Sequence, residues 1–468
     1  MSAAVTETGT PQQGKSMNLF ALTWPIFLEV FLFMLMGTVD TLMISSVSDN
    51  AVSGIGASNQ IISIAILILE VIGNGAAIVV AQYIGSKKFL EASKITGMAI
   101  TLNLLIGLVL SGAFLLFGGL LLEKMNVQGE VLVYAKSYMH IVGGAIFLQA
   151  LINSLAAIIR TYGFTKETMY VSVLMNVMHV ILNYILIFGH FGAPALGVEG
   201  AAISTVISRF TCLLLFFWLL YRVTEVRVEF KFYLQFTKNY VAKILKIGIP
   251  SAVEQIMYHS CQLVFLFYAT FLGAEALASR QYASNISSYI YLFSMAIGMG
   301  TAIMVGRFVG AKDHESAYQR VWKSVKWAMI ATIAVDLVVI TFRVPLVGIF
   351  TDNPEVIRIA AQVILLSIVL ETGRTTNIVI INSLRAAGDA KFPVYIGLVS
   401  MVCLSLPLGY LLVFQLNMGL AGIWLAIAAD EWTRAFIMFF RWKSRKWEKH
   451  GLVDHDEDEN VPQTVPAV

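Results

Sequence analysis

The sequence predicts an all-α polytopic membrane protein whose twelve transmembrane helices fall into two pseudo-symmetric six-helix lobes. Three observations carry that prediction. The 468 residues are 58% hydrophobic and 13% charged, with a mean hydropathy of +0.77, whereas soluble domains are about 45–50% apolar and about 25% charged. The apolar residues gather into twelve continuous runs, each near or above the roughly 20 residues that a helical span requires. The chain also repeats itself at a fixed offset of 225 residues. The net charge of +3 gives no argument for a nucleic-acid partner. Cys212, Cys261 and Cys403 all lie in apolar runs, which indicates neither a disulfide framework nor a cysteine metal site.

Taken in order, residues 1–16 are polar and small and read as a disordered N-terminal tail. A polar stretch before a run long enough to span argues against a cleavable signal peptide. Spans follow at 18–45, 55–82, 94–121, 132–159, 167–190 and 198–221, giving an N-lobe over 17–222. A basic stretch over 223–240 reads as a cytoplasmic linker. The second set lies at 242–271, 281–306, 322–342, 356–384, 392–415 and 419–440, giving a C-lobe over 241–442. Residues 443–468 read as a cytoplasmic tail, solvated from 451 onward through the acidic run Asp454 to Glu459. Each span must be helical, because a backbone in lipid has to satisfy its own hydrogen bonds; a β-barrel would show short alternating segments instead.

Most of the 32 Lys and Arg residues fall before span one, after every even-numbered span, or in the middle stretch, as with Lys87, Arg160, Arg222, Lys312, Arg385 and Arg441. The positive-inside rule therefore places both termini and the linker in the cytoplasm.

The repeat pairs Pro25 with Pro250, Glu29 with Glu254, Gly73 with Gly298, Lys87 with Lys312, Arg160 with Arg385 and Gly163 with Gly388. Separated blocks sharing one register point to duplicated six-span units in the same orientation. This is the architecture of an alternating-access transporter with its site between the halves.

Several motifs carry a family resemblance. Thr23-Trp24-Pro25, Gly37-Thr38-Val39-Asp40-Thr41 and Ala81-Gln82-Tyr83-Ile84-Gly85 in the first half resemble the multidrug and toxin extrusion (MATE) family. So do Gly248-Ile249-Pro250-Ser251 and Ser383 through Asp389 in the second. The resemblance spans all twelve helices. It implies a V of two lobes that exports organic cations or amphiphiles in exchange for protons or sodium ions, with no other cofactor. It further implies a bacterial inner-membrane location and a protein that works as a monomer.

Intramembrane charge marks the candidate site, since a carboxylate at the bilayer centre costs roughly 2.5–3.5 kcal/mol on insertion scales. Asp40 is the leading candidate. Glu29 lies eleven residues earlier, so at roughly 100° per residue the two are only about 20° apart and share a face. The resemblance makes Asp40 the protonatable or sodium-binding group. In span five His179 and Asn183 share a face, and Asn176 joins them seven residues before Asn183. The family often has Asn and then Asn or Asp here, so the histidine is a departure. Asp40, His179 and Asn183 are expected to form an N-lobe cation site; the alternative is a neutral histidine bridging helices.

In the C-lobe, Glu254 follows Pro250 as Glu29 follows Pro25, so both acids are expected to line a mobile helix end near a proline, and sodium near Asp40 or Glu254 remains open. Glu371 and Arg374, three residues apart, are expected to neutralise each other or to take part in ion coupling. Glu70 and Asp336 are further buried candidates. Met34, Met36, Met43, Phe33 and Tyr258 could contact ligands or simply pack. Gly9 to Ser16 satisfies the phosphate-loop pattern but lacks the strand and soluble domain that the mechanism needs. The expected function is a cation-coupled multidrug antiporter and not an enzyme. A flippase for lipid-linked oligosaccharides, a membrane-embedded enzyme and a channel are its rivals.

Overall fold

The structure is a computed structural model and describes residues 18–224 and 228–453. The N-terminal tail with its phosphate-loop-like stretch, and the acidic tail beyond Val453, lie outside the described residues.

All regular structure among the described residues is helical, with twelve long elements and a few short ones. In the first half these are α1 (Leu19–Ser45), α2 (Asp49–Gly85), α3 (Phe89–Lys124), α4 (Gly129–Gly143 continuing as Ile146–Thr161), α5 (Thr165–Phe188) and α6 (Val198–Val223). In the second they are α7 (Lys238–Thr270), α8 (Ala274–Gly310), α9 (His314–Thr341), α10 (Pro354–Ala386), α11 (Lys391–Gln415) and α12 (Gly419–Lys443). Among the described residues, nine are long and apolar enough to cross a membrane, and α4 makes a tenth as one bent span. The other two, α7 and α12, are of similar length, but polar residues interrupt them; α12 contains Asp430, Glu431 and Arg434.

The 225-residue repeat is visible in the backbone. Helices begin at Asp49, Phe89 and Gly129 and again, 225 residues on, at Ala274, His314 and Pro354. The turns repeat as well. Lys87 and Lys312 both take positive φ (61° and 59°), and so do Gly163 and Gly388 (92° and 95°). The halves differ at their fourth helix: α4 passes through a π-turn at Met139–Gly143 and bends by 47°, while its counterpart α10 is one unbroken helix.

Three expectations are corrected. Pro250 does not sit near the first turn of its helix, because α7 already begins at Lys238 and runs on through the proline. The stretch 223–240 is not a plain linker: a short helix, Phe230–Leu234, buries Phe232 against Gly97 of α3. The chain after α12 does not leave the protein at 443. A turn at Lys446–His450 buries Trp447 in a stack on Trp442 with ring centroids 4.1 Å apart. Leu452 then enters the apolar core of the first half.

The two halves are locked together at the end of the bundle that carries the basic loops. There α2 and α8 cross so closely that a Cβ on Gly310 would lie 1.8 Å from the Gln82 carbonyl oxygen, and one on Gly85 would lie 2.0 Å from that of Arg307. These glycines, partners in the repeat, let the two backbones touch. Gln82 Nε2 donates to the Ala386 carbonyl (2.7 Å), and its Oε1 accepts from the Leu452 N–H (2.7 Å). Arg307 Nε donates to the Thr161 carbonyl (2.9 Å) and Lys243 Nζ to the Tyr83 hydroxyl (2.9 Å).

Candidate functional site

Polar side chains buried between the helices form two clusters, one in each half. The first assembles where α1, α5 and α6 meet. Gly200 lets α6 approach α5, since a Cβ there would stand 2.4 Å from the Leu186 carbonyl oxygen. The approach sets Ser204 and Thr205 of α6 beside Asn183 and His179 of α5. Asn183 Nδ2 donates to Asp40 Oδ1 (2.8 Å), and the Ser204 hydroxyl donates to Asn183 Oδ1. His179 Nδ1 lies 3.4 Å from the same Asp40 oxygen. The sequence-predicted trio is thus brought together in space. Asn176 on the same face has its Oδ1 buried without a partner.

The hydrogen bonds around His179 constrain its proton. Thr205 Oγ1 lies 2.9 Å from the Ala201 carbonyl oxygen and 3.0 Å from His179 Nε2; when its hydroxyl donates to the carbonyl, the ring is the donor in the second bond. A neutral His179 with its proton on Nε2 turns the bare lone pair of Nδ1 toward an Asp40 oxygen. Acceptor then faces acceptor unless one more proton sits on Asp40 or on the ring. His179 is 1% exposed, whereas the Asp40 side chain is 34% exposed, so a proton can reach the pair through the carboxylate. Arg209 of α6, which the sequence reading did not single out, lies within electrostatic range of Asp40 and of Tyr138.

Glu29 and Glu254 do not join these clusters as free carboxylates. Glu29 accepts from Arg160 Nη1 (3.0 Å) and from Ser172 (3.1 Å). Glu254 accepts from Arg385 Nη2 (2.5 Å). Each acid lies 131 residues before its arginine, and the two pairs are partners in the repeat. They pin α1 to α4 and α7 to α10, which corrects the expectation of acids lining mobile helix ends. The face shared by Glu29 and Asp40 is real, because both acids meet α5, at Ser172 and Asn183. Glu70 of α2 faces Arg160 electrostatically.

The second cluster lies between α9, α10 and α12 and is larger than the sequence reading foresaw. Arg374 Nη1 donates to Glu371 Oε1 (2.7 Å), as their spacing predicted. The pair does not stand alone. Arg374 Nε reaches Glu431 Oε1 (3.5 Å), Arg434 lies 3.2 Å from Glu431 and 2.9 Å from Asp430, and Asn377 Nδ2 donates to Glu431 Oε2 (2.9 Å). Ser400 donates to Asp430 Oδ1 (2.5 Å), and Arg374 lies over the Tyr291 ring at 5.2 Å. Asp430, Glu431 and Arg434 were legible as charges inside an apolar run, with the arginine four residues after one acid and three after the other. Arg434 is also the repeat partner of Arg209, whereas Asp40 is matched by Phe265. The duplicated scaffold therefore carries different chemistry in its two halves. Of the ligand-contact candidates, Phe33 is exposed, while Met43 and Tyr258 pack against apolar cores.

Comparison with known proteins agrees with this architecture. The family model MatE matches residues 25–185 and 250–411, two blocks that again start 225 residues apart. The chain is 42% identical over 438 residues to the Bacillus subtilis protein named "Uncharacterized transporter YisQ", covering 94% of this chain and 96% of that one. It is 27% identical over 443 residues to the Thermotoga maritima protein named "Probable multidrug resistance protein NorM", covering 94% of each. The crystal structure of the Vibrio cholerae MATE transporter VcmN in the bent form superposes with a TM-score of 0.85 at 18% identity, over 92% of this chain and 96% of that one. This chain belongs to the multidrug and toxin extrusion (MATE) family and is a multi-pass membrane transporter.

Proposed function

We propose that the protein is a proton-coupled antiporter that exports organic cations or amphiphilic compounds across a bacterial inner membrane, with both ends of the chain in the cytoplasm and a single chain as the working unit. The observation that carries this reading is the Asp40–His179–Asn183 cluster, in which we take Thr205 to accept from His179 Nε2, so that the free lone pair of Nδ1 meets the Asp40 carboxylate. That arrangement asks for one exchangeable proton. It suits sodium less well, because Asn183 presents N–H to the carboxylate and the next ligand is a ring nitrogen, whereas hard cations select oxygen.

In this mechanism a cationic substrate and a proton compete for Asp40. We read the closed contact at the basic-loop end as the state that opens away from the cytoplasm, and proton binding favours the opposite state only through a difference in affinity between the two. Names of relatives such as the NorM protein support multidrug compounds as the substrate class.

The test is efflux of ethidium from proteoliposomes under an imposed proton gradient and, separately, an imposed sodium gradient. Wild-type protein should respond to the proton gradient, and Asp40→Asn should abolish that response while remaining folded. Intact proton-driven efflux in Asp40→Asn, or efflux driven by sodium alone, would overturn the reading.

A further inference from the structure

The second cluster holds more acid than its bases can neutralise. Asp336, Glu371, Asp430 and Glu431 face two guanidiniums, Arg374 and Arg434, and all six side chains are buried. Glu431 is shared by both arginines, Asp430 is held by Arg434 and Ser400, and Glu371 offers Oε1 to Arg374. Asp336 has none of this. Its residue is 0% exposed and neither carboxylate oxygen has a hydrogen-bond partner; Glu371 Oε2 is likewise buried and unpartnered. The two acids are electrostatic neighbours. An ionised carboxylate buried without a donor is prohibitively costly, so a proton must reside on Asp336 in this conformation.

Buried hydroxyls lie one helical turn from each acid, none of them hydrogen-bonded to Asp336 in this conformation. Thr332 lies one turn before Asp336 on α9, and Thr375 one turn after Glu371 on α10. Their hydroxyls are 2.8 Å apart, and both bond Ser294 of α8, at 2.8 and 2.7 Å. Because the two helices run antiparallel, this hydroxyl triad sits on the basic-loop side of both acids. The other charged or titratable groups facing the dyad are Arg374 and, under it, Tyr291, then Tyr258 of α7 and the α12 charges behind Arg374. Arg343, beyond the far end of α9, is committed to the Ile340 carbonyl.

We propose that Asp336 and Glu371 form a second proton-binding site, in the C-terminal half, that empties and refills during the transport cycle. The proton leaves an Asp336 oxygen toward the basic-loop side, where the hydroxyl triad lies. The carboxylate so formed competes with Glu371 for Arg374; the displaced Glu371 takes up a proton and passes it to Asp336, and Glu371 then regains Arg374, which restores the original state. The proposal rests on the proton-coupled reading of the family fold but uses residues separate from Asp40.

The experiment is an infrared pH titration of the purified protein, following the C=O stretch of protonated carboxyl groups. Wild-type protein should show two titrating components. Asp336→Asn, isosteric with the protonated acid, should lose one of them and Asp40→Asn the other. If Asp336→Asn does not fold, aspartate-specific 13C labelling of the wild type together with Glu371→Gln identifies the component, which should shift when its neighbour is changed. A component that is unchanged in Asp336→Asn, or that keeps its proton at every pH, would overturn the proposal. Loss of the Asp40 component alone from the wild-type titration would instead count against the N-terminal site.

Discussion

Replacing Arg385 by leucine tests whether Glu254 is scaffold or ion-coupling group. The pair is 2.5 Å long with side chains 16% and 11% exposed, so Arg385→Leu strands a nearly dry carboxylate. Breaking a buried pair from one side costs about 3–5 kcal/mol, and the remaining water contact points to the lower value, about 3 kcal/mol. Replacing both partners, as in Glu254→Leu/Arg385→Leu, removes the stranded charge and should return stability to within about 1 kcal/mol of wild type, because a hydrophobic pair of similar volume is close to neutral. Thermal unfolding of the detergent-solubilised protein should show the single variant several degrees below wild type and the double variant recovering most of the loss. Proton-driven ethidium efflux should survive in the double variant. The reasoning is refuted if the double variant is as unstable as the single one, or if it folds normally and cannot transport. The repeat predicts the same behaviour for Glu29 and Arg160, whose carboxylate has the extra bond from Ser172.

Two further predictions concern the N-terminal cluster and the closed end. Thr205→Val leaves the His179 Nε2–H without an acceptor, a loss of about 1–3 kcal/mol that favours moving the proton to Nδ1, where it bonds the Asp40 carboxylate. Efflux at fixed pH should then fall roughly tenfold, since 1.4 kcal/mol is a factor of ten, and should recover when the medium is acidified, while Thr205→Ser should behave as wild type. Ending the chain after Arg445 removes the buried Trp447 and the Leu452 N–H that bonds Gln82. Electron-spin distances between labels on the basic loops of the two halves should broaden toward longer values; an unchanged distribution would show that the segment does not hold the halves together.

Much of this molecule could be read directly from the chain. Twelve spans follow from the need of a backbone in lipid to satisfy its own hydrogen bonds, and the duplication follows from residues matched at one offset. The Asp40–His179–Asn183 group was legible because helical spacing puts His179 and Asn183 on one face and the family resemblance points to Asp40 and to this stretch of span five. What required the tertiary structure were partnerships across large separations. Glu29 finds Arg160, and Glu254 finds Arg385, 131 residues along the chain, and spacing within one helix carries no information about a neighbour on another. The same limit hid the isolation of Asp336, since an unpaired carboxylate is recognised only when every surrounding side chain is in place. It also hid the docking of residues 446–453, which look like a polar tail until Trp442 and Gln82 are seen waiting for them. Local periodicity decides which way a side chain points; the packing of helices against one another decides what it meets there.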